Sequence, residues 1–134
     1  MLSITRKTIL VVDDEPAILG LVNTILTFSG YRVLVANGPI EAIDIFRRTG
    51  AVDLLLSDVI MPEVSGPELA KLITQGRPEV AVLFMSGYAE DEIVHRGMVD
   101  PGVTLLSKPF GPDSLARAVR KQLDDHSFSE RKSS

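Results

Sequence analysis

Residues 54–62 read LLLSDVIMP. Three leucines lead through a serine to Asp58, and the chain then turns at Pro62. A continuous apolar run, as opposed to an alternating one, marks a strand buried on both faces, as in a parallel sheet covered by helices. The carboxylate at its end has two readings. It closes a strand and opens a loop, or the strand aims it at a ligand. The rest of the chain has to decide.

Four further runs have the same character: TILVVDD at 8–14, YRVLVA at 31–36, VAVLFMS at 80–86 and VTLLSK at 103–108, with the first run extending back to give VDLLLSD at 52–58. Helical patterns lie between and after them. Segment 16–29 places Ile18, Leu19, Val22, Ile25 and Leu26 on one face, with Pro16 in the first turn and Gly30 as the stop. Segment 39–49 carries Ile40, Ile43 and Phe46 before Gly50, and 67–75 carries Leu69, Leu72 and Ile73 before Gly76. A weaker pattern at 90–98 has Ile93 and Val94, and 112–125 has Leu115, Val119 and Leu123. Strand and helix thus alternate, which predicts an α/β domain with a parallel sheet and right-handed crossovers. The spacing predicts one domain over 1–125 and a frayed polar tail, HSFSERKSS, over 126–134, without repeats or a linker.

Composition narrows the function. A chain of 134 residues suits one domain with its own core, and the absence of cysteine excludes disulfides and thiolate metal sites. A net charge of −4 without a basic tract argues against direct nucleic-acid binding. The apolar runs are too short to span a bilayer. The opening MLSITRK is followed by a four-residue apolar run and then acids, which is not a signal peptide. The expectation is a soluble cytoplasmic protein, or the cytoplasmic piece of a larger one, without membrane contact.

Ligands of open α/β sheets bind outside the carboxyl ends of the strands. There the chain places Asp13, Asp14 and Glu15, then Asp58, then Ser86-Gly87, then Lys108-Pro109, whereas the second strand ends in uncharged Asn37-Gly38. Clustered carboxylates repel one another and call for a cation. An all-oxygen set suits Mg²⁺, which keeps several waters and shares phosphate oxygens. Lys108 offers a compact positive charge and Ser86 a hydroxyl donor. Such a set neutralises a phosphoryl group in transfer, with Asp58 as candidate nucleophile for an aspartyl phosphate.

The segments ILVVDDEP, LLLSDVIMPEVSGPEL, VLFMSGY and LLSKPF resemble the motifs of response-regulator receiver domains of two-component signalling, over residues 6–124. The resemblance implies a flavodoxin-like, doubly wound five-stranded sheet of order 2-1-3-4-5. It implies Asp58 as phosphoacceptor, Asp14 as a direct Mg²⁺ ligand, Asp13 acting through a water, and the Ile60 backbone carbonyl as a further ligand. Ser86 matches the hydroxyl that follows the phosphoryl group, and Lys108 the family lysine, with a cis bond to Pro109. The implied donor is a histidine kinase or histidine phosphotransfer protein, the implied output an effector protein, and the implied state a monomer or weak dimer. The DVIMPEVSGPEL and DPGVTLLSKPF segments are most similar in style to receivers of hybrid histidine kinases.

Departures from the family pattern carry their own expectations. Leu105 stands where receivers often have a switching aromatic, so the response is expected to pass through the 86–90 loop and the fourth helix instead. Ile60 and Tyr88 stand where side chains tune hydrolysis, and neither orients water, so a long-lived phosphoryl group is expected. Two other functions share parts of this pattern. An aspartyl-nucleophile phosphohydrolase of the haloacid dehalogenase class needs a second acid two residues after the nucleophile, where this chain has Ile60. A degenerate receiver that only binds would lack an acid or the lysine, and neither is missing. Glu15 reads as a helix-start acid, and His95 and His126 as surface groups outside the chemistry.

Overall fold

The structure, a computed structural model, describes residues 6–101 and 103–133. Residues 1–5, which open the MLSITRK segment, and Ser134 of the expected tail lie outside the described residues. The elements run β1 (Thr8–Val12), α1 (Pro16–Phe28), β2 (Arg32–Ala36), α2 (Pro39–Thr49), β3 (Leu54–Asp58), α3 (Gly66–Gly76), β4 (Ala81–Ser86), α4 (Glu90–His95), β5 (Leu105–Ser107) and α5 (Pro112–Ser133). The strands form one parallel sheet of order β2-β1-β3-β4-β5, the order and class expected.

The side-chain period of two sorts each strand between two cores. Leu10, Val12, Leu55 and Phe84 pack with Ala42 of α2, Leu69 and Ile73 of α3 and Ile93 of α4. Ile9, Val11, Leu54, Leu56, Leu83 and Met85 pack with Leu19, Val22 and Leu26 of α1 and with Leu115 and Val119 of α5. The three leucines of the opening stretch are fully buried, two on one face and one on the other. This explains why the run is continuous: β3 has no solvent face to which a polar residue could be assigned.

Hydrogen bonding continues one residue past the strand ends. The Asp13 N–H donates to the Ala36 carbonyl at 3.3 Å, Val59 N–H to Met85 at 3.0 Å and Lys108 N–H to Ser86 at 2.8 Å. The backbone on which the polar residues sit is therefore tied to the sheet, although Asp13 and Lys108 lie beyond β1 and β5.

Several boundaries differ from the sequence reading, three of them for a clear local reason. β5 spans three residues instead of 103–108, because the Val103 N–H turns back to the Asp100 carbonyl at 3.2 Å and β5 has only β4 to pair with. α4 stops at His95 instead of Met98, because Gly97 adopts φ 71° and the Met98 N–H closes onto the Ile93 carbonyl at 3.1 Å. The frayed tail expected at 126–134 is a correction: α5 runs on to Ser133. No proline or glycine interrupts it after Pro112. Lys121 pairs with Asp125 one turn on at 3.1 Å, and the His126 ring meets the Pro78 carbonyl at 3.0 Å.

The β3–α3 loop folds tightly back on the end of β3. α3 opens with a capping box between Ser65 and Glu68. The Gly66 N–H donates to the Val59 carbonyl at 2.8 Å. A Cβ at position 66 would press into the Asp58 carbonyl oxygen and come within 3.2 Å of the Ser57 hydroxyl oxygen. Only glycine lets the helix start lie this close to Asp58. Gly66→Ala is therefore expected to lower stability by about 1–3 kcal/mol in denaturant unfolding, the range for overpacking a tight contact. Unchanged stability would show that the loop relaxes freely.

Candidate functional site

Parallel pairing decides which strand ends coincide. Val12 is in register with Ser57, so Asp13 and Asp58 follow side by side. Ser86 is in register with Ser107, so Lys108 follows on the other flank. Residues Asp14, Glu15, Asp58, Ile60, Ser86, Gly87, Tyr88 and Lys108 line a cavity of about 250 Å³ at this edge. A larger hollow of about 540 Å³ between β2 and α2 is lined by Arg32, Arg48, Thr49 and apolar residues and holds no carboxylate.

Lys108 is the hub. Its ammonium donates to Asp13 Oδ2 at 2.9 Å and lies 3.4 Å from Asp58 Oδ1 and 3.6 Å from Glu15 Oε1. Asp13 is fully buried, and its other oxygen accepts the Glu15 N–H at 2.9 Å, so both ends of the carboxylate are held. The Lys108–Pro109 peptide is cis, as the resemblance implies. Ser86 is buried, and its hydroxyl oxygen accepts the Tyr88 N–H at 3.0 Å. A serine hydroxyl used this way keeps its own hydrogen available to donate. Ser86 is thus a turn-forming hydroxyl and a cavity-lining one together.

Burial raises the Asp58 pKa from 3.8 to about 6, assisted by the charge of Asp13 and, less, of Asp14, while Lys108 works in the other direction. For Lys108, burial lowers the pKa, but the hydrogen bond it donates to Asp13 and the charges of Asp58 and Asp13 outweigh this and hold the amine above its ordinary value. The ammonium is therefore a permanent charge at neutral pH, whereas Asp58 is poised to need more positive charge than one lysine supplies.

Carboxylate oxygens of Asp13, Asp14 and Asp58 lie within 4.8 Å of one another. Hard oxygen donors at this spacing, one of them held reluctant to ionise, fit a divalent cation such as Mg²⁺. Asp14 is exposed, which leaves one side of the cluster open to water and ligand.

The structure brings together every side chain proposed from sequence: Asp13, Asp14, Asp58, Ser86 and Lys108, with Ile60 at the cavity wall. It adds three participants. Glu15, read as a helix-start acid, makes no side-chain cap and turns to Lys108 instead. The buried Ser57 hydroxyl donates to the Asp58 carbonyl at 2.9 Å. Gly66 backs the same carbonyl. The adjacency of Glu15 to the acidic pair was the available signal for the first; nothing local in sequence marks the other two. Neither His95 nor His126 lines the cavity.

The family model for the response regulator receiver domain matches residues 9–120. This chain is a response regulator receiver domain. It is similar to the sensor kinase CckA of Brucella abortus, 38% identical over 119 residues that cover 87% of this chain and 12% of that protein. It is 30% identical to the sporulation initiation phosphotransferase F of Bacillus subtilis, covering 88% of this chain and 94% of that one. Among solved structures, the receiver of the hybrid histidine kinase CckA matches with a TM-score of 0.70 at 38% identity, covering 87% and 98% of the two chains. A receiver from Clostridium thermocellum matches at 0.78 and 27%, covering 91% and 98%. The receiver spans a small part of CckA and 48% of the transcriptional regulator TrcR of Mycobacterium tuberculosis, to which it is 33% identical over 125 residues, 92% of this chain. Receivers are signalling domains that accept phosphate from histidine kinases, pass the signal to effectors and generally bind Mg²⁺. Among the described residues no helix is long and apolar enough to cross a membrane.

The raised Asp58 pKa has a signed consequence. Without metal, the protonated side chain is favoured by folding, so its contribution is present below the unfolded value of 3.8 and lost as pH rises through about 6. In chelator, Asp58→Asn should raise stability at pH 7.5 by on the order of 1–3 kcal/mol and by much less near pH 4. Thermal melts at the two pH values check this; an equal gain at both would show that Asp58 titrates as a solvated carboxylate.

Proposed function

We propose that this receiver takes a phosphoryl group onto Asp58 and uses the change to alter a partner-binding surface. One observation carries the reading: the Asp58 carboxylate opens into the cavity beside a half-buried cation, with Lys108 Nζ 3.4 Å away and an acidic cluster within reach. Asp58 Oδ attacks the phosphorus of a phosphohistidine, the P–N bond breaks, and the imidazole nitrogen keeps the electron pair. Lys108 balances charge on the phosphoryl oxygens, and Ser86 donates its free hydrogen to one of them. Asp13, Asp14, Asp58 and the Ile60 carbonyl would hold Mg²⁺, which when bound supplies the positive charge that ionises Asp58 and offsets the incoming phosphate. Asp13 is committed to Lys108, which suits a role through water, while exposed Asp14 suits a direct one.

The donor is a histidine kinase or histidine phosphotransfer protein, and the output goes to an effector protein in the cytoplasm. The likeness to the receiver of hybrid kinase CckA favours attachment to, or service of, a hybrid histidine kinase. The chain acts on its own phosphorylation and not on a separate substrate. The phosphohydrolase reading has no support at position 60, where Ile60 leaves its side chain 37% exposed and offers no acid.

Incubation with acetyl phosphate and Mg²⁺ should add one phosphoryl group by intact mass, and Asp58→Asn should abolish it. With Ile60 and Tyr88 at the cavity wall in place of water-orienting groups, the adduct should persist for minutes or longer after the donor is removed. Decay within seconds would overturn this lifetime, and turnover of phosphomonoesters would restore the phosphohydrolase reading.

Leu105 at the start of β5 packs with Val94 and Met98 against the core on the α4 side. The responsive face is accordingly α4 and β5, reached through the 86–90 loop. Amide exchange with and without beryllofluoride and Mg²⁺ should show altered protection within 86–106; unchanged protection there would sink this route.

A further inference from the structure

The 86–90 loop carries a contact that the phosphoryl chemistry does not require. Tyr88, 48% exposed, is a large aromatic side chain on a wall of the Asp58 cavity. Its backbone N–H is tied to the Ser86 hydroxyl at 3.0 Å, but that bond leaves the ring free to turn about its own side-chain torsions. A cation holds it. The Arg96 guanidinium lies over the Tyr88 ring, 5.8 Å from its centroid. Arg96 in turn is oriented by Glu92, one helical turn back, through an ion pair of 2.8 Å. The scaffold beneath is firm, because Ile93 of α4 is fully buried and the Arg96 N–H closes the helix onto the Glu92 carbonyl at 3.0 Å.

We propose that Arg96 is a positioning residue for the phosphoryl site: by stacking on Tyr88 it keeps the ring as a wall of the Asp58 cavity and so shields the aspartyl phosphate from water. The inference rests on the reading of Asp58 as phosphoacceptor and adds a residue that touches neither Asp58 nor the metal cluster. Glu92 acts one step further out, by limiting the rotamers of Arg96. The physical basis is the attraction between a guanidinium and the face of an aromatic ring, which shifts the ring's resting position without forming any bond to the reacting atoms. Hydrolysis of the acyl phosphate needs a water in line behind the phosphorus. A ring that leaves the wall widens the approach to it.

The test loads the full chain with acetyl phosphate and Mg²⁺, removes the donor, and follows loss of the adduct by intact mass. Arg96→Ala is expected to shorten the lifetime by about two- to fivefold, the population shift that an exposed cation–π contact can support. Arg96→Lys, which keeps a cation but not the flat stacking group, should fall between the two. Tyr88→Leu should shorten the lifetime by itself, and adding Arg96→Ala to it should have no further effect, since Arg96 acts through the ring. A merely structural role for Arg96 would instead give additive losses and no rescue by lysine. A lifetime in Arg96→Ala equal to that of the unaltered protein, or full additivity in the double variant, overturns the proposal while leaving Asp58 as phosphoacceptor. Absence of any adduct on the unaltered protein overturns both.

Discussion

One ammonium, Lys108 Nζ, stands among three carboxylates, and the arrangement of the sheet edge answers to it. Asp13 is fully buried and would be a costly charge without its 2.9 Å partner. Asp58 is nearly as buried, at 8% exposure; that burial and the charge of Asp13 outweigh its share of the same cation, and it holds its proton up to about pH 6. Glu15 adds a third, exposed partner. One positive charge cannot satisfy this set. The shortfall is the physical reason that the site suits a divalent cation and then a phosphoryl group, since each incoming charge has an opposite waiting for it.

The hydrophobic core exists, in functional terms, to hold that shortfall in place. A β3 buried on both faces cannot shift register without driving leucines out of one core or the other. With β3 locked, Asp58 is locked beside Asp13, and the ladder bonds beyond β1, β3 and β5 hold Asp13, Val59 and Lys108 at fixed heights. Gly66 and the Ser57 hydroxyl then close on the Asp58 carbonyl from behind. The backbone at the site is tied to the sheet, whereas the features that lie outward of it, Tyr88, Arg96 and the six-residue α4, are exposed side chains on a short helix and its preceding loop. Burial and ladder bonds thus fix the backbone where charge is gathered, while α4 presents exposed side chains from a helix anchored by Ile93.

Much of this was legible from residue patterns alone because the information is local. Continuous apolar runs identified buried strands, prolines and glycines bracketed the helices, and polar residues collected at the carboxyl ends. The errors were local too. Gly97 ended α4 early through a left-handed backbone that the apolar pattern at Met98 did not reveal. The polar sequence after Asp125 suggested fraying, yet polar residues without glycine or proline extend a helix readily once its preceding turns are anchored. Glu15 does sit at a helix start, as the N-cap residue of α1, and its exposed carboxylate also lies 3.6 Å from the Lys108 ammonium, a contact between distant parts of the chain.

The sequence by itself pointed to Asp13, Asp14, Asp58, Ser86 and Lys108 at the strand ends and to the receiver family. It determined the alternation of strand and helix as well, because periodicity and strand-end chemistry are written in neighbouring residues. Only the tertiary structure decided how those groups share charge. Lys108 and Asp13 are separated by 95 positions, and no local pattern says that their side chains meet at 2.9 Å while Asp58 is left at 3.4 Å. Strand order and register set those distances, burial sets the dielectric in which they act, and together they make Asp58 the carboxylate with a pKa near 6.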